Sequence, residues 1–334
     1  MMIPTQIRII RLMLPCLVAI GAFLGASPVT TQTALVLENK IPLGDIRGRL
    51  DHMAVDLGRQ RLFVAELENN SVAVVDFHTR EIAHVITDVR RPQGLAYVPS
   101  ADTLFVANGS DGSLRMFQGE QYRPTAPIHL GDDADNVRFD PETNHVYVSY
   151  GEGALGIIDV ASRRKIDDVA LTAHPESFQL DRESNRIYVN SPKEQTLIVL
   201  DRISGKRVAT WQTGNGSNFP LAINNAASQV LVVFRNPARL VVFAASNGTP
   251  VTSVEACGDA DDMFIDAKRG RIYVSCGEGF IDVFDANRYQ LVERIPTLKG
   301  ARTSLFVPEI DRLFAAARAT AEAKAAVWVF RPGP

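Results

Sequence analysis

The sequence carries few of the features that mark cofactor and nucleotide chemistry. Of its 334 residues only three are cysteine, Cys16, Cys257 and Cys276, and none stands in a CxxCH string, so covalent haem attachment is excluded. There is no GxxxxGK[ST] loop and no GxGxxG between a strand and a helix, which removes the usual phosphate cradles. Positive charge is not in excess: 35 Lys and Arg face 38 Asp and Glu, a formal charge of −3, so no basic field exists to draw in a phosphate backbone. Nucleic acid is therefore not an expected partner. A quinone-type redox centre would have only Trp211 and Trp328 to draw on. No segment sustains an apolar stripe at 3.6-residue spacing, which argues against helices. The hydrophobic content of 46% is nevertheless ample for a packed core.

The longest apolar run, LMLPCLVAIGAFLGA, follows Arg8 and Arg11 and precedes a stretch rich in Ser, Pro and Thr. This is the plan of a secretory signal peptide over residues 1–26 with a short linker over 27–33. The run falls short of the roughly 20 residues needed to span a bilayer, so no stable membrane span is expected after cleavage. A lipid anchor is disfavoured because Cys16 opens the run behind Pro15 instead of closing it. Loss of the two arginines takes the charge from −3 to −5. The expected product is periplasmic or secreted, and its two remaining cysteines meet an oxidising compartment.

The rest of the chain repeats. MAVDLGRQRLFVAE, LAYVPSADTLFVAN, VRFDPETNHVYVSY, FQLDRESNRIYVNS, LAINNAASQVLVVF, MFIDAKRGRIYVSC and SLFVPEIDRLFAAA each join two apolar runs through a polar turn. Their anchor residues, Asp56, Val98, Asp140, Asp181, Asn224, Asp266 and Val307, are spaced by 42, 42, 41, 43, 42 and 41. Third runs such as VAVVD, LGIID and IDVFD follow in every unit, and six units add a fourth, more polar run. Four short β segments per period of this length predict an all-β, seven-bladed β-propeller of four-stranded antiparallel blades, forming a single domain over 34–334. The seventh unit ends at VWVFRPGP without a fourth run, while ALVLENKIPL precedes the first unit unpaired. The N-terminal strand is thus expected to complete the last blade and close the ring.

The tetrapeptides LFVA, LFVA, VYVS, IYVN and IYVS, with third strands ending at Asp76, Asp159, Asp201 and Asp285, resemble the YVTN-type (YncE-like) propellers of exported bacterial proteins. The resemblance implies the fold; such propellers bind, scaffold or catalyse alike. The strand-ending aspartates, like Asp140, Asp181 and Asp266, are read as turn residues that accept backbone N–H groups.

Ligands reach propellers where one loop per blade converges on the axis. The residues that precede each first run there include Arg49, Asp51, His52, Arg91, Gln93, Asp133, Asp135, Asn136, His174, Glu176, Asp259, Asp261, Asp262 and Arg302, and Arg138 lies just inside. Acids so gathered repel unless protons, bases or a cation relieve them. Carboxylates with amide oxygens suit calcium or magnesium, with Asp51, Asp135, Glu176, Asp261 and Asp262 as candidate ligands, although no local spacing forms a metal motif. Cys257 and Cys276 flank the sixth blade's first two strands, so antiparallel pairing brings them to one face. A disulfide is expected there, ahead of free thiols or a metal pair.

Two functions follow. The leading expectation is a monomeric binding or interaction module that holds a small polar ligand, a cation or a protein partner at the mouth. The alternative is a metal-assisted hydrolase or lyase of the lactonase kind, in which His52 or His174 moves a proton.

Overall fold

Seven antiparallel sheets account for the described strands, and each sheet corresponds to one sequence repeat. The computed structural model describes residues 1–2, 33–214 and 216–334. Apart from its first two residues, the expected signal peptide lies outside the described residues, as do residues 27–32 of the linker. Within blade one the inner strand Met53–Asp56 pairs with Arg61–Glu66, then Ser71–Asp76, then Glu81–Ile86 at the rim. The inner strands of blades two to seven are Pro92–Val98, Val137–Asp140, Phe178–Asp181, Asn218–Asn224, Ala260–Asp266 and Ser304–Val307. Successive inner strands touch around the whole ring, and that of blade seven meets that of blade one. The protein is a seven-bladed β-propeller.

Why the repeats pack this way is visible in the second strands. The aromatic residue of each tetrapeptide, Phe63, Phe105, Tyr147, Tyr188, Tyr273 or Phe314, is completely or almost completely buried. In blade five Leu231 takes that place, so the departure from the tetrapeptide keeps an apolar knob. Every hydrophobic cluster sits at a junction between two neighbouring blades, one cluster for each of the seven junctions. Burial therefore holds blades to each other, because a single twisted sheet has no interior of its own.

The turn aspartates do what the repeat implies. Asp140 Oδ1 accepts the N–H of Glu142 at 3.1 Å, and Asp201 Oδ1 accepts that of Ser204 at 2.9 Å. Two of these turns also reach sideways. Arg59 of blade one donates to Asp56 of its own turn at 2.9 Å and to both oxygens of Asp102 in blade two at 2.7 and 2.6 Å. Arg269 of blade six binds Asp266 at 3.0 Å and Asp311 of blade seven at 2.6 Å through each nitrogen. Between blades two and three the corresponding residues are Ala101 and Asn144, and the junction carries a groove lined also by Pro99, Phe139 and Pro141.

The ring closes as expected. Leu35–Pro42 pairs antiparallel with Ala326–Pro332 and becomes the outer strand of blade seven. The fourth run of blade two is the one that fails to form a continuous strand: it splits into Arg123–Pro124 and Ile128–His129. Pro124 and Pro127 supply no N–H to the ladder, so pairing between them is reduced to the Thr125 N–H on Met116 O at 2.9 Å. Among the described residues no helix is long and apolar enough to cross a membrane.

Removing residues 34–43 is expected to leave Ala326–Pro332 with an open edge, lower Tm and promote association, and a synthetic peptide of that segment should reverse that association by size-exclusion chromatography. Arg269→Ala should cost about 2 kcal/mol in urea denaturation, as expected for a charge-assisted pair with limited exposure. Arg269 holds the Asp311 carboxyl down to about 2, so this contribution is present above pH 4 and is lost only as pH falls through that value.

Candidate functional site

A backbone irregularity sets the aim of the mouth residues. In blade one the N–H of Asp51 bonds Ala65 O at 2.8 Å while Ala65 N–H bonds His52 O at 3.1 Å, so two residues oppose one. The same arrangement sets Asp135 and Asn136 against Ser149, and Glu176 and Ser177 against Asn190. In blade six the register slips between Ala260 and Asp262, leaving Asp261 as the extra residue. Such bulges turn a side chain out of the regular alternation, here toward the axis.

The position two residues further upstream behaves differently. Arg91, Asp133, Ser217, Asp259 and Gly300 all have left-handed φ values, between 41° and 85°. Arg91 and Asp133 are exposed, and Arg91 N–H caps Asn70 Oδ1 at 2.8 Å while Gln93 Nε2 donates to Asp133 at 3.1 Å and to Ala134 O at 3.2 Å. These residues shape the entry loops, and none of Arg91, Gln93 and Asp133 is in the wall of the mouth cavity.

The remaining charges form two groups. In the first, Arg49 Nη2 lies 2.9 Å from Asp51 Oδ2, and His52 lies 3.9 Å from Asp51 and 3.6 Å from Asp262. Asp51 is completely buried, and neither of its oxygens accepts an aligned hydrogen bond from the described residues. Asp262 also accepts the Ser304 N–H at 2.8 Å. In the second group Arg302 donates to Asp259 at 2.8 Å and approaches Asp261 at 3.2 Å. Arg235 donates to Asp261 and, at 2.7 Å, to Ala260 O, with its guanidinium 3.4 Å above the Phe219 ring. Arg235 was not among the residues expected from the sequence. It ends the second strand of blade five, and an antiparallel partner returns to the face from which the inner strand started, so strand ends were the signal to read.

Between these groups lies a cavity of about 60 Å³, walled by residues of blades one, three, four, five and six. Asp135, Asn136, Arg138 and Glu176 face it, together with His52, Asp261 and Asp262. Asn136 Nδ2 donates to Glu176 O at 2.8 Å, tying blades three and four together. Arg138 does enter the channel: it donates to Val137 O at 2.9 Å and sits 5.7 Å from the Phe178 ring. His174 Nδ1 is 2.6 Å from Gly151 O, a loop contact, and His174 is not in the cavity wall.

The electrostatics follow from burial first. Burial lifts the Asp135 carboxyl to about 7, with Asp51 and Glu176 adding to the rise and His52 and His174 opposing it. Burial likewise raises Asp51 and Glu176. For His52 burial acts downward, yet Asp262 and Asp51 outweigh it and carry the imidazole to about 10. Burial lowers Arg138 against the pull of Asp262 and Asp135.

The carboxylates named as candidate metal ligands are therefore not assembled as a set. Asp261 is engaged by Arg235 and Arg302, Asp262 by Ser304 and His52, and Asp51 by Arg49. Among the described residues no group of three or more His, Cys, Asp or Glu is placed to hold a metal ion. The expected disulfide is present: Cys257 and Cys276 are bonded across blade six with Cα atoms 5.9 Å apart.

No protein-family model matches the chain, and no curated protein matches it either. Among solved structures the chain is similar to the hydrazine synthase of Kuenenia stuttgartiensis, with a TM-score of 0.72 at 15% identity over 87% of this chain and 96% of that one. At that identity the likeness concerns the propeller fold alone.

The Asp135 carboxyl binds its proton more tightly folded than unfolded, so it favours the fold below pH 4 and progressively less as pH rises through about 7. Asp135→Asn should therefore stabilise the protein, with the gain larger at pH 8 than at pH 5 by about 2 kcal/mol in denaturant titrations. A gain independent of pH would show that Asp135 is not desolvated at the mouth.

Proposed function

We propose that this is an exported β-propeller binding module of the YVTN type that holds a small polar ligand in the cavity at its channel mouth. The observation that carries this reading is a small polar cavity on the axis into which four blades place charged or amide side chains, two of them carboxyls without a hydrogen-bond donor among the described residues, Asp135 and Glu176. A buried carboxyl raised by desolvation and left without a partner costs stability, and such costs gather at sites that bind something. A cavity of about 60 Å³ has room for an ion, a few waters or one short polar group, well below the span of a drug-sized ligand. Export is supported by the Arg-led apolar segment at the N-terminus and by the Cys257–Cys276 disulfide, a bond that persists where thiols are not kept reduced.

The hydrolase or lyase reading is less well supported, because its divalent ion would need carboxylates that the arginines at the mouth already engage.

Screening the purified protein in thermal unfolding against small cations, anions and neutral polar solutes should reveal at least one that raises Tm in a saturable way. Glu176→Gln should remove that shift. If no solute of any charge raises Tm, the mouth is not a small-ligand site.

A further inference from the structure

We infer that the ligand of the mouth cavity is a primary ammonium group, held by acceptors that blades three and four supply: the carboxyls of Asp135 and Glu176 and the amide oxygen of Asn136. The inference rests on the binding-module reading and adds the chemistry of the ligand.

Its starting point is Asn136. The residue is 4% exposed and lines the cavity, yet its Oδ1 accepts no hydrogen bond from the described residues. The orientation of the amide is not arbitrary, because Nδ2 donates to Glu176 O at 2.8 Å, and a flipped amide would set two oxygens against each other. A buried acceptor left open in this way calls for a donor.

The neighbouring unpaired atoms carry the same sign. The buried side-chain atoms at the mouth without a hydrogen-bond partner are both oxygens of Asp51, Oδ1 of Asn136, Oδ2 of Asp261 and Nε of Arg49, so four of the five are acceptors. The Asp51 and Asp261 oxygens still have arginines in ion-pair range, whereas the Asn136 oxygen accepts no hydrogen bond from any described residue. The Asp135 and Glu176 carboxyls likewise receive no donor from the described residues. What fits a wall in which two adjacent blades place these three acceptors is a group with several N–H donors and positive charge, and an ammonium has three. The cations in the wall stand beside acids: Arg49 beside Asp51, His52 beside Asp51 and Asp262, and Arg138 in the field of Asp262 and Asp135. An anionic ligand would enter a wall in which four carboxyls, Asp135, Glu176, Asp261 and Asp262, face three cations, Arg49, His52 and Arg138. In the same wall Pro220 and Met263 offer apolar surface for the first carbons behind the nitrogen.

Such an ammonium belongs either to a free small amine or to a lysine side chain of a partner protein. Calorimetric titration of the purified protein with ethylammonium, tetramethylammonium and acetate separates the chemistry. Ethylammonium should bind saturably, tetramethylammonium, which has charge but no N–H, at least tenfold more weakly, and acetate not at all. Asp135→Asn should weaken ethylammonium at least tenfold while an unchanged near-UV spectrum shows that the fold is kept. Repeating the titration with a lysine-bearing peptide and its acetyl-lysine form identifies the source: tighter binding of the unmodified peptide assigns the site to a partner's lysine, and binding of ethylammonium alone assigns it to a free amine. Acetate binding without ethylammonium binding overturns this inference and leaves the mouth as a ligand site. Equal binding of the two ammonium ions overturns it as well, and the absence of all binding overturns both readings.

Discussion

Seven strands that begin at one axis force the residues just ahead of them into a shared space. Nothing in a single repeat announces this crowding, because Asp51 and Asp261 are distant in sequence and each is unremarkable alone. Brought together with Asp135 and Glu176, they are answered by arginines from three blades, Arg49, Arg235 and Arg302, and by a protonated His52. Charge compensation at the mouth is thus a property of the closed ring, and no blade achieves it alone. The two acids without a hydrogen-bonded cation, Asp135 and Glu176, stand on adjacent blades, and burial and neighbouring carboxyls raise both against the pull of His174, which localises the polar strain to one arc of the cavity.

The opposite face solves a similar problem with one rule used twice. Arg59 and Arg269 each bridge an aspartate of their own turn and an aspartate of the next blade. The contrast with Ala101 and Asn144 shows that the device is optional: blades two and three remain joined by the apolar cluster around Phe105, Val137 and Val148. Burial of the repeat's aromatic position is common to the junctions, and the ion pairs add strength at particular ones. A protein built this way tolerates change in its polar turns far better than at Phe63 or Tyr273.

Much of the architecture was legible because it repeats. The spacing of the anchors, the turn aspartates and the unpaired segments at the two ends are enough to specify seven blades and their closure. What escaped reading were local departures whose cause is geometric. Asp261 points at arginines because a bulge inserts it between Ala260 and Asp262, and bulges leave no reliable residue signature. Arg91, Asp133 and Asp259 have left-handed backbones, a conformation usually sought at glycine or asparagine, and of the three only Asp259 meets the mouth arginines. Arg235 stands at the end of a second strand and not ahead of an inner one, and the ends of second strands return to the same face.

The pairing of Leu35–Pro42 with Ala326–Pro332 also orders events in time. Blade seven draws its outer strand from the start of the described chain and the neighbouring strand from near its end, so the sheet cannot be completed until nearly all of the polypeptide is available. Six blades can assemble as they emerge, but the ring stays a horseshoe until the last strand arrives, and the loop this contact closes is almost as long as the chain. A polypeptide held up midway through synthesis would therefore remain open at one seam and would lock only on release.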